Sequence, residues 1–282
     1  MPRASALPGA AMAETIIRSR TNPLIKRLRA LKERGTGGDL ALLEGFTLVE
    51  EGLAAGLQFV EAAVTPAAEE TARGQDLVRQ LSLRRVAVRR VGEAVLASLS
   101  EAETSQGLLA LARRPSFDEE ALYAGVPLVI VAVGLQNPGN VGAVLRAAEA
   151  AGATGTYFTR GTADPFSWKA LRGAMGSAFR LPHVRGLAAG EVLERLRRRH
   201  VVILAAGASD GDRYDSVDLR RPVAFLLGQE AGGLDADLAA GADGRITIPM
   251  AGGAESLNVA VAAGVLLFEA ARQRAAGGRL SR

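Results

Sequence analysis

The stretch "VGLQNPGNVGAVLRAAEAAG", residues 133–152, reads as a strand, a Gly/Pro/Asn loop and a helix. Such units hold phosphates and nucleotides at the helix N-terminus. The run "PLVIVAVGL" that leads into it is continuously apolar, as expected of a strand buried on both faces of a parallel sheet. Yet the usual nucleotide fingerprints are absent. Gly134 and Gly139 have the gap of a Walker loop, but Asn140 and Val141 follow where Lys and Ser/Thr belong. The Gly-x-Gly-x-x-Gly pattern is missing too. Pro138 and Gly139 predict a tight turn, Asn140 an N-cap, and residues 140–151 the helix.

One residue of that helix has two readings. Val141, Val144, Leu145 and Ala148 form an apolar face, and Arg146 lies off it, above Gly142. Helical side chains lean toward the N-terminus, and Gly142 offers none there, so Arg146 can present its guanidinium to the loop. Alternatively, Arg146 is a surface arginine paired with Glu149.

Further strands are expected in "GTYFT", "HVVILAAG", "VAFLLG" and "RITIPM", with helices over residues 168–175, 188–199 and 256–274. The last is apolar almost all round at first (Leu257, Val259, Val261, Val265, Leu267, Phe268), which predicts burial. Upstream, strands and helices alternate from a basic helix at Pro23 to about Arg113, a small α/β module. "RPSFDEEALYAGVP" reads as a linker. The expected organisation is a disordered tail over 1–13, a small α/β module over 14–113, a linker over 114–126 and a larger α/β domain over 127–282. Met12 is an alternative start.

Composition narrows the chemistry. The 282 residues contain no cysteine and two histidines, His183 and His200. That disfavours a disulfide framework, a cysteine nucleophile, a metal centre and a Ser-His-Asp triad. No apolar run is long enough to span a bilayer, and the first residues lack a signal peptide's apolar segment, so a cytoplasmic location is expected. The net charge of +4 is modest, but it is clustered. Arg18, Arg20, Lys26, Arg27, Arg29, Lys32 and Arg34 surround one acid, Glu33, and Arg84, Arg85, Arg89 and Arg90 form a second group. Such clusters either neutralise nucleic-acid phosphates or form a solvated helix face.

Two more motifs follow buried strands. "FLLGQEAGGL" places Gly228, Glu230, Gly232 and Gly233 beyond a strand end, where ligands of open α/β sheets sit and glycine lets backbone approach closely. "ITIPMAGGAESLNVAVAAG" enters the last helix through Ser256, which reads as an N-cap. Asn258, in that helix's first turn, is a polar amide that needs partners.

In this order, "NPGNVGAVLRAA", "LGQEAGGL" and "IPMAGGAESLNVAVA" resemble the three motifs of the SpoU/TrmH family of RNA ribose 2′-O-methyltransferases, in the SPOUT superfamily. "SRTNPLIKRLRAL", "LLEGFTLVEEGLAAG" and "ETSQGLLAL" resemble that family's N-terminal substrate-binding module, though relatives commonly carry proline before the glutamine of the last. The resemblance implies a parallel-sheet domain with a deep trefoil knot, S-adenosylmethionine as cofactor, no metal, and a homodimer. It places Leu227, Gly228, Ile248, Pro249, Met250 and Leu257 at the cofactor, and Asn140, Arg146, Glu230, Ser256 and Asn258 at the reaction centre. Arg18, Arg20, Lys26, Arg27 and Arg29 are the expected RNA contacts. The basic module favours ribosomal RNA over transfer RNA as substrate. A non-catalytic RNA-binding assembly factor on the same fold is the alternative, and the missing lysine disfavours a P-loop nucleotidase.

Overall fold

The structure, a computed structural model, describes residues 16–33, 38–100, 105–207, 209–229 and 232–277. The expected tail over 1–13 lies outside the described residues.

The first of two sheets comprises β1 (Leu40–Glu44), β2 (Phe59–Val64), β3 (Ala87–Arg90) and β4 (Leu108–Arg113), in the order β1-β4-β2-β3. β4 is antiparallel to both neighbours, and β2 is parallel to β3. Leu108, Ala110 and Ala112 join one apolar cluster while Leu109 and Leu111 join another, so both faces of β4 are covered. The covering helices are α1 (Pro23–Glu33), α2 (Phe46–Ala54), α3 (Pro66–Glu70), α4 (Ala72–Leu83) and α5 (Glu93–Ala97). α1 starts because Asn22 Oδ1 accepts the Leu24 N–H at 2.9 Å and Pro23 fixes the first turn. Its Leu24, Ile25 and Leu28 are buried, which leaves the basic residues outside.

The second sheet is parallel throughout. It contains β5 (Leu128–Ala132), β6 (Gly155–Phe158), β7 (His183–Arg185), β8 (Val202–Gly207), β9 (Asp212–Arg213), β10 (Val223–Leu227) and β11 (Gly244–Thr247). The order is β7-β6-β5-β10-β8-β11-β9. Leu128, Ile130 and Ala132 face the cluster that holds α6 (Pro138–Ala150), α7 (Trp168–Ala174) and α11 (Val259–Gly277), whereas Val129 and Val131 face that of α9 (Ala189–Arg198). Burial on both faces explains the continuous apolar run. The short α8 (Ser177–Arg180) and α10 (Ala236–Ala240) complete the helices.

The last helix departs from expectation. It begins at Val259, and Val261 (52% exposed) and Phe268 (53%) face outward while Ala263, Leu266, Leu267 and Ala270 are buried. An apolar stripe is thus left uncovered. Arg274 at the far end donates to the carbonyls of Val126, Pro127, Leu219 and Arg221 at 2.8–3.1 Å and ties the helix to the sheet's base.

Residues 114–126 are anchored at two points, Arg114 and Leu122, while Ser116, Asp118, Glu120 and 124–126 are exposed. Arg114 donates to the Leu40 carbonyl at 3.1 Å and to Asp164 at 2.8 Å, so it ties β1 to the loop between β6 and α7. Leu122 is fully buried, and the Tyr123 and Tyr157 hydroxyls lie 2.5 Å apart. The two sheets share one apolar cluster, to which β1 contributes Ala41 and Leu43 and β5 contributes Leu128 and Ile130. Arg180 adds a bridge, bonding Glu51 on α2 and Glu149 on α6.

Candidate active site

The chain leaves the carboxyl ends of β8, β10 and β11 around a cleft of about 280 Å³. Ligands of parallel sheets sit at this edge. Ala206 and Gly207 line it from β8, Leu227 and Gly228 from β10 and its loop, and Ile246 from β11. The opposite wall is Ile248, Met250, Ser256 and Leu257, with Val259, Ala262 and Leu266 of α11 behind it.

Glycine is required at 228 by the loop that follows. Gln229 and Gly233 exchange both backbone hydrogen bonds, at 3.0 and 2.9 Å, and Gly233 adopts a φ of +63°. The loop folds back so tightly that a Cβ on Gly228 would lie 2.2 Å from the Gly233 carbonyl carbon. Main chain therefore forms this wall. Glu230 lies outside the described residues.

The other wall is set by the start of α11. Ser256 is not its cap. Asn258 is: its Oδ1 accepts the Ala260 N–H at 2.9 Å, and its backbone carbonyl accepts the Ala262 N–H. Leu257 and Ser256 are thereby turned out of the helix and into the cleft. The other end of the amide, Nδ2, donates to Asn140 Oδ1 at 3.1 Å, across 118 residues of sequence. These are the partners the sequence required of Asn258.

The cap of α6 is three residues earlier than the expected Asn140. Asn137 caps α6 by accepting the Gly139 N–H at 2.9 Å, with Pro138 as the first helical residue. Asn140 is therefore inside the first turn, its side chain released for Asn258. Gly142 has another purpose than making room for Arg146. It is buried beneath α7, where a Cβ would lie 2.2 Å from the Ala170 carbonyl oxygen. Arg146 is exposed, six residues beyond Asn140 on α6 and about 120° from it around the helix axis. It does not pair with Glu149. That carboxylate takes two hydrogen bonds from Arg180, at 2.6 and 3.0 Å, which hold its pKa below the usual range. Among the described residues Arg146 has no ion pair or hydrogen bond.

Of the residues expected at the cofactor, Leu227, Gly228, Ile248, Met250 and Leu257 line the cleft, together with Ser256 from the expected reaction centre. Pro249 is exposed and does not. The contributions of Ala206 and Gly207 were missed. Their signal was a glycine ending the strand "VVILAAG", the same feature that marked Gly228. Arg18, Arg20, Lys26 and Arg27 are exposed and Arg29 is half-buried. Arg27 and Arg89 both approach Glu61, at 3.9 and 3.6 Å, and Arg90 bonds Glu69, so part of this charge is met internally. Among the described residues no helix is long and apolar enough to cross a membrane.

A family model described as SpoU rRNA Methylase family matches residues 127–268, and one described as MRM3-like substrate binding domain matches residues 22–110. The chain is 34% identical to an uncharacterized tRNA/rRNA methyltransferase of Synechocystis, over 92% of this chain and 94% of the relative. It is 35% identical to the Bacillus subtilis 23S rRNA (guanosine(2553)-2'-O)-methyltransferase RlmP, over 86% and 92%. Among solved structures, the SpoU methyltransferase AviRb of Streptomyces viridochromogenes, in complex with AdoMet, superposes with a TM-score of 0.80 at 28% identity, over 92% of this chain and all of that one.

Proposed function

The chain belongs to the SpoU rRNA methylase family, and we propose on that premise that it methylates a ribose 2′-hydroxyl of ribosomal RNA. It is an RNA ribose 2′-O-methyltransferase that uses S-adenosylmethionine. The observation that carries the reading is the cleft of main chain and apolar side chains beyond β8, β10 and β11, next to which Asn258, between the lining residues Leu257 and Val259, bonds Asn140.

The cleft suits this cofactor. Gly228 keeps backbone at its surface, and Leu227, Ile248, Met250 and Leu257 supply apolar walls for an adenine ring. When bound, the cofactor supplies an activated methyl group on a sulfonium. The protein's part is to orient the ribose in line and to manage its proton. Asn258 holds Asn140, and the pair fixes the loop of α6 against the start of α11. Arg146, exposed one helical face away, grips the ribose or its phosphate. It acts by charge and planar geometry. Ser256 and Glu230 complete the reaction centre.

The outward stripe of Val261 and Phe268 on α11 supports a homodimer joined through that helix. The knot implied by the family resemblance belongs to the same proposal. The deciding experiment is a map of 2′-O-methylation across total RNA with and without the gene. One missing mark in ribosomal RNA, restored by the purified protein with S-adenosylmethionine, is the expected result. A missing mark in transfer RNA alone redirects the substrate, and no missing mark favours the assembly factor.

A further inference from the structure

A second concavity lies between the two sheets. It has two connected lobes of about 740 and 600 Å³ that share Gly38, Asp39, Arg114, Arg185 and Gly186. Its floor is the carboxyl ends of β6 and β7, and its roof is the segment around Asp39 and Arg113 of the first module.

The charges here are arranged. Asp164 holds Arg114 at 2.8 Å and Arg185 at 3.1 Å, so one carboxylate serves two guanidiniums. Both guanidiniums lie over the Phe166 ring, at 5.1 and 5.3 Å from its centroid. Phe166 is buried and packs on His183, 5.2 Å away. Burial pushes the His183 imidazole down to about 4, so it adds no charge of its own at neutral pH. At the rims stand Arg113, in one lobe, and Arg160, in the other. Both are exposed, and neither side chain has a hydrogen bond or ion pair among the described residues. The described lining thus sets four arginines against two aspartates, Asp39 and Asp164.

Position gives this charge its meaning. The groove is at the same edge of the sheet as the cofactor cleft. Three strand spacings separate the β7–β6 midpoint from the β10–β8 midpoint, or roughly 14 Å at ~4.8 Å each. The loop that carries Arg160 is joined to the loop before α6. Thr159 and Thr162 hydroxyls accept the Gly134 N–H at 3.2 and 3.1 Å, and the Ala163 N–H donates to Leu135 at 2.7 Å.

We infer that this groove between the modules is a phosphate-binding track for the RNA strand flanking the target ribose, with Arg113 and Arg160 as its contacts and Arg114 and Arg185 as its fixed floor. The inference rests on the RNA-methylating reading and adds a subsite to it. A separation of ~14 Å corresponds to about four stacked nucleotides at ~3.4 Å each, so the track grips close neighbours of the modified one. Asp164 and Phe166 hold Arg114 and Arg185, so the floor needs no ordering when RNA binds, while Arg113 and Arg160 are free to turn toward phosphates. The contacts carry no base reading.

The test is the double variant R113E/R160E, assayed with a ribosomal RNA fragment that the wild type binds. Fluorescence anisotropy should show the slope of log K against log salt falling by about 1.4–1.8, the loss of two phosphate contacts. In methyl transfer the KM for RNA should rise tenfold or more, with kcat at saturating RNA within twofold. Calorimetric affinity for S-adenosylmethionine should not move, and R113K/R160K should keep most of the RNA affinity. If the glutamate variant melts early, R113Q/R160Q read by the same slope takes its place. An unchanged slope and KM overturn the track, as does a changed oligomeric state with RNA binding intact, which would make the groove a protein contact. If the wild type binds RNA but methylates none, the functional reading fails, while the slope still reports on the groove.

Discussion

Replacing Asn258 by alanine separates the two ends of its amide. The side chain's oxygen caps α11 through the Ala260 N–H, and its nitrogen reaches Asn140. Losing an N-cap costs about 1 kcal/mol. Losing one exposed amide–amide hydrogen bond costs roughly 0.5 kcal/mol more. The expected total of about 1.5 kcal/mol lowers Tm by about 3–6 °C in a chain of this size. Asn258→Asp keeps the cap oxygen at a helix N-terminus, where negative charge is favoured, so it should recover the larger share. A double-mutant cycle with Asn140→Ala should give a coupling of about 0.5–1 kcal/mol. Thermal melts give these numbers, and tritiated methyl incorporation runs alongside. Activity should fall further than stability in Asn258→Ala, because Leu257, Ser256 and Asn140 all lose their anchor. Equal melting of the alanine and aspartate variants, or a cycle that sums to zero, would refute the argument that Asn258 both starts α11 and holds the facing loop.

Arg146→Ala should abolish methyl transfer, leave cofactor affinity nearly intact by calorimetry, and cost less than ~0.5 kcal/mol in a melt; Arg146→Lys should rescue poorly, since a point charge lacks the planar fork. Gly142→Ala places a methyl against the Ala170 carbonyl and should destabilise by about 1–3 kcal/mol in urea unfolding, whatever its effect on RNA binding. Phe268→Asp should convert a dimer to monomer in light scattering if the outward stripe of α11 is the interface. His183 has a folded pKa of about 4, below the unfolded value, so the unfolded chain binds a proton first as pH falls. Stability should therefore decline by on the order of 2 kcal/mol from about pH 7 to about pH 5, and His183→Phe should flatten that slope in urea midpoints.

The sequence announced the strands of the second sheet most clearly. A strand buried on both faces needs apolar residues at every position, and Leu128–Ala132 and Val223–Leu227 leave no other reading. Helix starts were less legible. Asn137 and Asn140, like Ser256 and Asn258, are pairs of good cap residues a few positions apart, and only packing chooses between them. The all-round burial expected of α11 was met on one side only, for a related reason. Apolar residues all round predict burial, but Val261 and Phe268 face out of the single chain. Gly142 carried the opposite lesson: its missing side chain answers to α7, which is distant in sequence. The groove between the modules was invisible, because Arg113 of the first sheet meets Arg160 and Arg185 of the second only through the docking of the two sheets.

That docking has a consequence for how a target is chosen. Arg114 ties β1 to the loop between β6 and α7, Leu122 is sealed inside, and β1 shares its core with β5. Among the described residues, a swing of either half against the other would tear this core open. Such a chain works as a ruler: the interval from the first module to the methyl-transfer cleft is set when the protein folds. Selection then becomes a question of distance along a folded RNA, and a nucleotide inserted between the gripped segment and the modified ribose should move the mark to its neighbour.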